Sequence, residues 1–241
     1  RNSTNLDTDD TKEFAGRIFF QPFKPSADSF LQGLGFGLGG SYGSEHSTTA
    51  LPATTGGTLP GYATDGQQQF FAYNPATGAV TASGEHWRLS PQGYYYSGPF
   101  GLLGEYVISN QRVSRTGVAP FTSARLENTG WQLTTSWLLT GEKAAYKGGV
   151  TPAKNFSLTD GGWGAWQLVA RYAELNADEA AFPNFANPAT SARTAHAWGL
   201  GLNWYLNRNV MVKTSFSHTS FDFASGGGAG TATATTAPGI V

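Results

Sequence analysis

Five charged residues stand at matching positions of an alternating sequence pattern, and four of them are cations. They are Arg17, Arg88, Arg171 and Lys213, with Glu105 as the carboxylate. The planar guanidinium of arginine fits phosphate and carboxylate groups in two-point hydrogen bonds. In a confined space of low effective dielectric constant, this excess of positive charge favours anions. The alternative is that each arginine pairs locally with Glu105, a loop carboxylate or a backbone carbonyl.

Patterns for bond-making chemistry are weak in this sequence. The four histidines (His46, His86, His196 and His218) lack metal-site spacing, and the chain has no cysteine. Residues 35–40 fit G-x-G-x-x-G, but no helix is predicted after them. We expect these glycines, where they face the lumen, to let the wall curve or a loop pack close. The sequence therefore predicts no enzyme, no metal site and no cofactor.

The charges share one face because the sequence alternates with a period of two over eight segments. Large apolar residues occupy one register of each segment, and small, polar or charged residues occupy the other. We expect the apolar register to carry no charge. The predicted strands cover residues 13–22, 34–43, 85–97, 101–113, 124–140 and 163–175, with two more in the hairpin 197–217.

The composition favours a membrane barrel. Charged residues make up 13% of the chain, against about 25% in a typical soluble domain. No run of about 18 apolar residues occurs, which excludes a transmembrane helix. A net charge of −1 leaves no basic field for nucleic acid. The predicted fold is all-β, a transmembrane antiparallel β-barrel whose apolar register contacts lipid and whose polar register lines a wet lumen.

The connections between the predicted strands alternate in length. Bacterial barrels have short periplasmic turns and longer outer loops, so residues 98–100 and 207–209 are predicted on the periplasmic side. The turn 141–162 is unusually long for that side. Residues 1–241 then form one barrel segment, with outer loops predicted at 44–84, 112–123, 177–192 and 223–241.

Three local features carry further expectations. Residues 66–84, inside the long outer or pore loop 44–84, predict a hairpin that lies above the membrane or folds into the pore. Residues 223–241, rich in Gly, Ala and Thr, predict a flexible loop without a strand. Pro91 cannot donate to a ladder, so a local bulge is expected there.

Several longer segments resemble the phosphate-selective porin O/P family of Gram-negative outer membranes. They are "RLSPQGYYYSGPFGLLGEYV", "LLTGEKAAYKGGVTP", "GGWGAWQLVARY" and "AHAWGLGLNWYLNRNVMVK". The resemblance runs over most of residues 12–222. It implies a 16-stranded, usually trimeric barrel for phosphate and polyphosphate, of which this chain is the C-terminal half. It also implies that Arg17, Arg88, Arg171 and Lys213 are wall residues.

The predicted function is an outer-membrane porin giving passive diffusion of small anions. Its expected partners are outer-membrane lipid, small anions and further copies in a homotrimer, with no nucleic acid. One alternative is an outer-membrane anchor or receptor barrel with docking loops. A second alternative is a secreted β-sandwich that binds carbohydrate through its aromatic residues.

Overall fold

The structure is almost entirely antiparallel β-sheet, which confirms the predicted fold class. This computed structural model describes residues 12–25, 30–46, 59, 61–74, 76–119, 121–146, 149–224 and 230–240. The strands are β1 Phe14–Phe20, β2 Leu34–His46, β3 Tyr62–Ala63, β4 Gln69–Phe71, β5 Ala79–Ser97, β6 Phe100–Thr116, β7 Thr122–Leu138, β8 Ala165–Asn176, β9 Ala192–Tyr205, β10 Met211–Phe223 and β11 Gly230–Ile240. Short 3-10 turns lie at Phe30–Gly33 and Glu179–Ala181.

Nine strands form one sheet whose neighbours follow one another along the chain. The order is β1-β2-β5-β6-β7-β8-β9-β10-β11, and β3 and β4 pair separately. Within the described residues β1 and β11 are unpaired edges, so the sheet is not closed. We call the end with the short connections after β5 and β9 the turn end, and the opposite end the loop end.

The two faces of the large sheet differ as the alternation predicts. One side, the apolar face, leaves its large side chains exposed instead of packing them against a second sheet. Trp137 is 46% exposed, Leu200 50% and Ile18 70%. The other side, the polar face, carries the predicted cations. No helix among the described residues is both long and apolar enough to cross a membrane.

Aromatic pairs mark two levels on the apolar face. Near the turn end, the rings of Trp166 and Trp204 stack with centroids 5.0 Å apart. Nearer the loop end, Trp131 and Tyr172 lie 5.3 Å apart. Membrane barrels carry such aromatic girdles at both interfaces.

The apolar register is not free of charge, which corrects that expectation. Toward the loop end, Arg125 donates to Glu85 at 2.7 Å, and Glu174 lies beside His196 at 3.4 Å. The reason is strand length. The strand β5 has 19 residues, whereas about 9–11 residues cross a bilayer. The charged positions therefore lie on the strand extensions beyond the apolar band.

Two expectations about the connections are wrong. Residues 66–84 do not form a hairpin, because β4 pairs with Tyr62–Ala63 and Ala79 begins the long strand β5. A ninth strand, β11, pairs with β10 in the segment predicted to contain none. Its Thr and Ala alternation lacks the apolar contrast on which the prediction relied. Residues 47–58, 60, 75 and 225–229 of the two predicted loops lie outside the described residues.

The bulge expected at Pro91 is also absent. Pro91 pairs with Leu38 of β2 in unbroken register, and the ladder to β6 skips Ser90 and Pro91 before resuming in the same register. The register instead shifts between Ala82 and His86, where Gly84 has a φ of +139°. Pro91 therefore interrupts the hydrogen-bonded ladder to β6 locally but does not shift the register of β5.

A compact hydrophobic core lies at the loop end, on the polar face. Phe71 and Phe185 are 1% and 2% exposed and pack with buried side chains from the ends of β5, β6, β7, β9 and β10. Burying a large apolar side chain contributes about 1.5–3 kcal/mol. This core holds two connections against the polar face of the sheet, which we call the wall. One comes from the predicted loop 44–84 and the other from residues 177–191.

Candidate functional site on the polar face

Two connections fold onto the polar face from opposite ends of the sheet. We call residues Tyr62–Tyr73 the inner loop and residues Thr140–Tyr146 the turn-end segment. The inner loop lies at the loop end, where Phe70 stacks on Phe221 of β10 with centroids 5.3 Å apart. The turn-end segment lies at the other end, where Tyr146 stacks on Tyr94 of β5. Both segments narrow the space beside the sheet wall.

A buried asparagine of β7 holds the inner loop in place. Asn128 is 4% exposed, and its side-chain nitrogen donates to the hydroxyls of Tyr62 and Tyr73 at 2.8 Å each. Its carbonyl oxygen accepts from the backbone N–H of Asp178 at 2.9 Å. Asn128 therefore ties the inner loop and the connection after β8 to the same point of the wall.

Burial changes the acid–base properties of these two tyrosines. Desolvation raises the pKa of Tyr73 well above its usual range, against a smaller lowering by the hydrogen bond from Asn128. The same cause raises the pKa of Tyr62. Both hydroxyls therefore stay neutral over the physiological range and keep their hydrogen bonds to the wall.

The predicted wall residue Arg171 also holds the inner loop. Its guanidinium Nη1 lies 3.4 Å from both carboxylate oxygens of Asp65, and the two side chains are 42% and 57% exposed. An exposed pair of this kind contributes at most about 1 kcal/mol to stability. The pair matters more for the local charge than for stability, because Asp65 offsets the positive charge that Arg171 would present to an anion.

A cavity of about 330 Å³ remains between the inner loop and the wall. Glu105 and Arg171 both line it, together with Tyr62, Phe70 and Asp65. Volumes from about 300 Å³ upward can hold small molecules. The structure thus brings two of the five predicted site residues to one chamber, at the point where the inner loop constricts the wall.

Glu105 is held by polar neighbours, with no cation beside it among the described residues. Ser90 donates to Oε1 at 2.7 Å, and Gln132 donates to Oε2 at 2.9 Å. These partners come from the strands on either side of β6. The carboxylate is therefore fixed in the wall, and the idea that it neutralises the arginines is wrong for the contacts described.

Arg88 has a carboxylate partner that the sequence alone did not single out. Its Nη1 lies 3.4 Å from Oε1 of Glu13, which also lies 3.3 Å from Nε2 of His86. A hydrogen bond from Ser41 lowers the pKa of Glu13, desolvation opposes this, and His86 and Arg88 lower it further. Glu13 therefore remains ionised to a lower pH than an ordinary glutamate and keeps Arg88 paired.

Arg17 differs because its partners are neutral. Its Nη2 donates to Oε1 of Gln92 at 2.6 Å and to the hydroxyl of Tyr146 at 3.1 Å. The guanidinium carbon also lies 5.3 Å from the centroid of the Phe19 ring. Among the described residues no carboxylate pairs with Arg17, so its full charge faces the space beside the sheet.

Lys213 is the second cation without a carboxylate. It is exposed on the polar face of β10, where it pairs across the ladder with Asn203. Within the described part of the chain its amino group has neither an ion pair nor a hydrogen bond. The predicted cations thus fall into two classes, since Arg88 and Arg171 are paired and Arg17 and Lys213 are not.

The sequence pattern could not find the partners of these residues. Asp65 and Tyr146 lie outside the predicted strands, so period-two alternation assigns them no face. Glu13 begins the predicted strand 13–22, where alternation gives it a face but no partner. The one available hint was the unusual length of the connections that carry Asp65 and Tyr146. The described residues include no group of three or more His, Asp or Glu side chains placed to share a metal ion.

Comparison with known proteins adds evidence that is independent of this geometry. A search of curated proteins gave no match. The family model described as phosphate-selective porin O and P matches residues 1–222. Because that match covers nearly all of a chain whose sheet already has one lipid-compatible face and one cation-bearing face, this chain belongs to the phosphate-selective porin O and P family.

Proposed function

We propose that the polar face forms part of the wall of an outer-membrane pore through which small anions diffuse passively. Phosphate and polyphosphate are the proposed solutes, the Gram-negative outer membrane is the proposed location, and a homotrimer is the proposed assembly. Membership of a phosphate-selective porin family supports a channel for small anions in an outer membrane. Porins are channels, which supports passage of solute without catalysis.

The observation that carries this proposal is the presence of two cations on the polar face without carboxylate partners in the described part of the chain. Among the described residues Arg17 has only neutral partners, and Lys213 is exposed on β10. A fixed positive charge in a narrow aqueous space raises the local concentration of anions and lowers that of cations. Arg88 and Arg171 contribute less, because Glu13 and Asp65 offset their charges.

The decisive experiment measures ion selectivity of the full assembled protein in planar bilayers. A salt gradient across the bilayer gives a reversal potential whose sign reports the preferred ion. We expect anion preference, and we expect added phosphate to inhibit the chloride current. Zero reversal potential, or cation preference, would overturn the proposal.

Variants then assign the effect to named residues. Lys213→Gln is expected to reduce anion preference more than Arg171→Gln, since both changes remove one positive charge and Arg171 is already paired with Asp65. Arg112→Gln is the matched control, because Arg112 is an exposed cation on the apolar face of β6. Equal effects of Lys213→Gln and Arg112→Gln would mean that the polar face does not determine selectivity.

The same measurements separate the two alternatives. An anchor or receptor barrel would insert in bilayers without ion preference, and a secreted carbohydrate-binding module would remain in solution without detergent. Both outcomes contradict an anion pore.

A further inference from the structure

The turn-end segment reaches across the sheet to strands that are not its own neighbours. It follows β7, yet the N–H of Ala144 donates to the carbonyl of Gly98 in the turn between β5 and β6. Tyr146 then stacks on Tyr94 of β5 at 4.1 Å and on Phe19 of β1 at 5.6 Å between centroids. This connection therefore places an aromatic ring against the polar face at the turn end.

Glycines of β2 leave space for these rings on the polar face. A Cβ atom at Gly35 would lie 2.4 Å from the ring of Tyr94, and one at Gly37 would lie 2.8 Å from the ring of Phe19. No side chain larger than hydrogen fits under the rings without displacing them. The glycines of β2 that match a nucleotide-binding pattern thus serve close packing, as the sequence predicts.

The hydroxyl of Tyr146 constrains the guanidinium of Arg17. Nη2 of Arg17 serves both Tyr146 and Gln92, while Nε and Nη1 have no partner among the described residues. An arginine side chain loses up to about 2 kcal/mol of rotamer freedom when it is immobilised. In the folded protein, two hydrogen bonds and one ring contact already restrict the Arg17 side chain and offset this loss of freedom before a solute binds.

We propose that Tyr146 is a positioning residue for anion capture at the turn end. It fixes Arg17 so that Nε and Nη1 remain for the oxygen atoms of a phosphate or carboxylate, and its ring narrows the passage there. This inference rests on the proposed anion-pore function and adds a specific role for the connection between β7 and β8. Preorganisation of this kind strengthens binding because less freedom is lost on binding.

The test compares Tyr146→Phe, Tyr146→Ala and Arg17→Gln in the full assembled protein, in planar bilayers. The readouts are single-channel chloride conductance and the phosphate concentration that halves it. Tyr146→Phe keeps the ring and is expected to raise the half-inhibiting phosphate concentration about five- to tenfold, the equivalent of one hydrogen bond, with conductance unchanged. Tyr146→Ala is expected to raise both values.

Tyr205→Phe is the matched control. Its hydroxyl donates to Gln167 at 2.8 Å on the same face near the turn end, away from Arg17. We expect it to leave both readouts unchanged. Stronger phosphate inhibition in Tyr146→Phe would show that the hydroxyl competes with the anion, and this result would overturn the inference.

Arg17→Gln separates this inference from the proposed function. If Arg17→Gln weakens phosphate inhibition and Tyr146→Phe does not, the positioning role of Tyr146 is wrong and the anion pore stands. If wild-type protein shows no anion preference, the proposed function itself is wrong. Because Tyr146→Phe preserves the ring stack, it tests the hydroxyl even where Tyr146→Ala fails to assemble.

Discussion

Replacing Asn128 by alanine should release the inner loop from the wall. The change removes two hydrogen bonds of 2.8 Å to Tyr62 and Tyr73 and one of 2.9 Å from Asp178. Each such bond contributes about 1 kcal/mol net, and a buried group left without a partner costs about 1–3 kcal/mol. We therefore expect the free energy needed to open the inner loop to fall by about 2–4 kcal/mol.

Hydrogen exchange measured by mass spectrometry gives a direct assay for that opening. A loss of 2–4 kcal/mol corresponds to about 30- to 700-fold faster exchange of inner-loop amides. One reporter is the N–H of Thr64, which donates to the carbonyl of Gln68 at 2.9 Å. Amides in the middle of β7 and β8 should keep their protection, because the sheet ladders do not depend on Asn128.

The control for this substitution is Asn110→Ala. Asn110 is equally buried at 5% exposed, but it lies on the apolar register, and its side-chain oxygen has no hydrogen-bond partner among the residues that the structure describes. The Asn110→Ala substitution should leave hydrogen exchange of the inner loop unchanged. Unchanged inner-loop exchange in Asn128→Ala, or equal acceleration in both variants, would refute the assignment of Asn128 as the anchor.

Three further predictions concern packing and pH. Gly33→Ala should destabilise the assembled protein in heat-unfolding assays by about 1–3 kcal/mol, because its Cβ would lie 1.6 Å from the carbonyl oxygen of Tyr96. Glu13 has a lowered pKa, so its stabilising contribution is present above the usual carboxyl pKa near 4.3 and is lost as pH falls through the native value. Reversal potentials should then show stronger anion preference as pH falls through that lowered native value, because Arg88 loses its partner. Tyr73 has a raised pKa, so its contribution is present below about pH 10 and is lost as pH rises further. Tyrosinate absorbance should show delayed ionisation, and Tyr73→Phe should reduce the delayed part by one tyrosine.

Each of these predictions has a matched comparison. Gly39→Ala should be tolerated, since its Cβ would meet only the carbonyl oxygen of Ser90 at 3.9 Å; equal loss in both variants would contradict the packing argument. Glu13→Gln should reduce the acid-dependent rise in anion preference, and a rise of unchanged size would assign it to other carboxylates. Ionisation of every tyrosine near pH 10 would contradict burial of Tyr73.

The sequence alone determined the fold class, the family resemblance and the two faces of the sheet. Side chains in a strand alternate between faces as a matter of backbone geometry, so the positions of Trp198, Leu200 and Arg171 follow from residue order. The match of the family over residues 1–222 confirms the resemblance. Pairing of β5 with β6 and of β9 with β10 also follows from order, because antiparallel strands joined by short turns pair with each other.

Only the tertiary structure decided which cations are paired. Asp65 and Tyr146 lie in connections where no period applies, and their contacts with Arg171 and Arg17 span 106 and 129 residues of sequence. Such contacts depend on how each connection packs. At the loop end, burial of Phe70 and Phe71 determines the position of the inner loop. At the turn end, the space above Gly35 and Gly37 determines where the aromatic rings lie. Charge alternation therefore located the polar face, while packing of the two connections determined which positive charges remain for a solute.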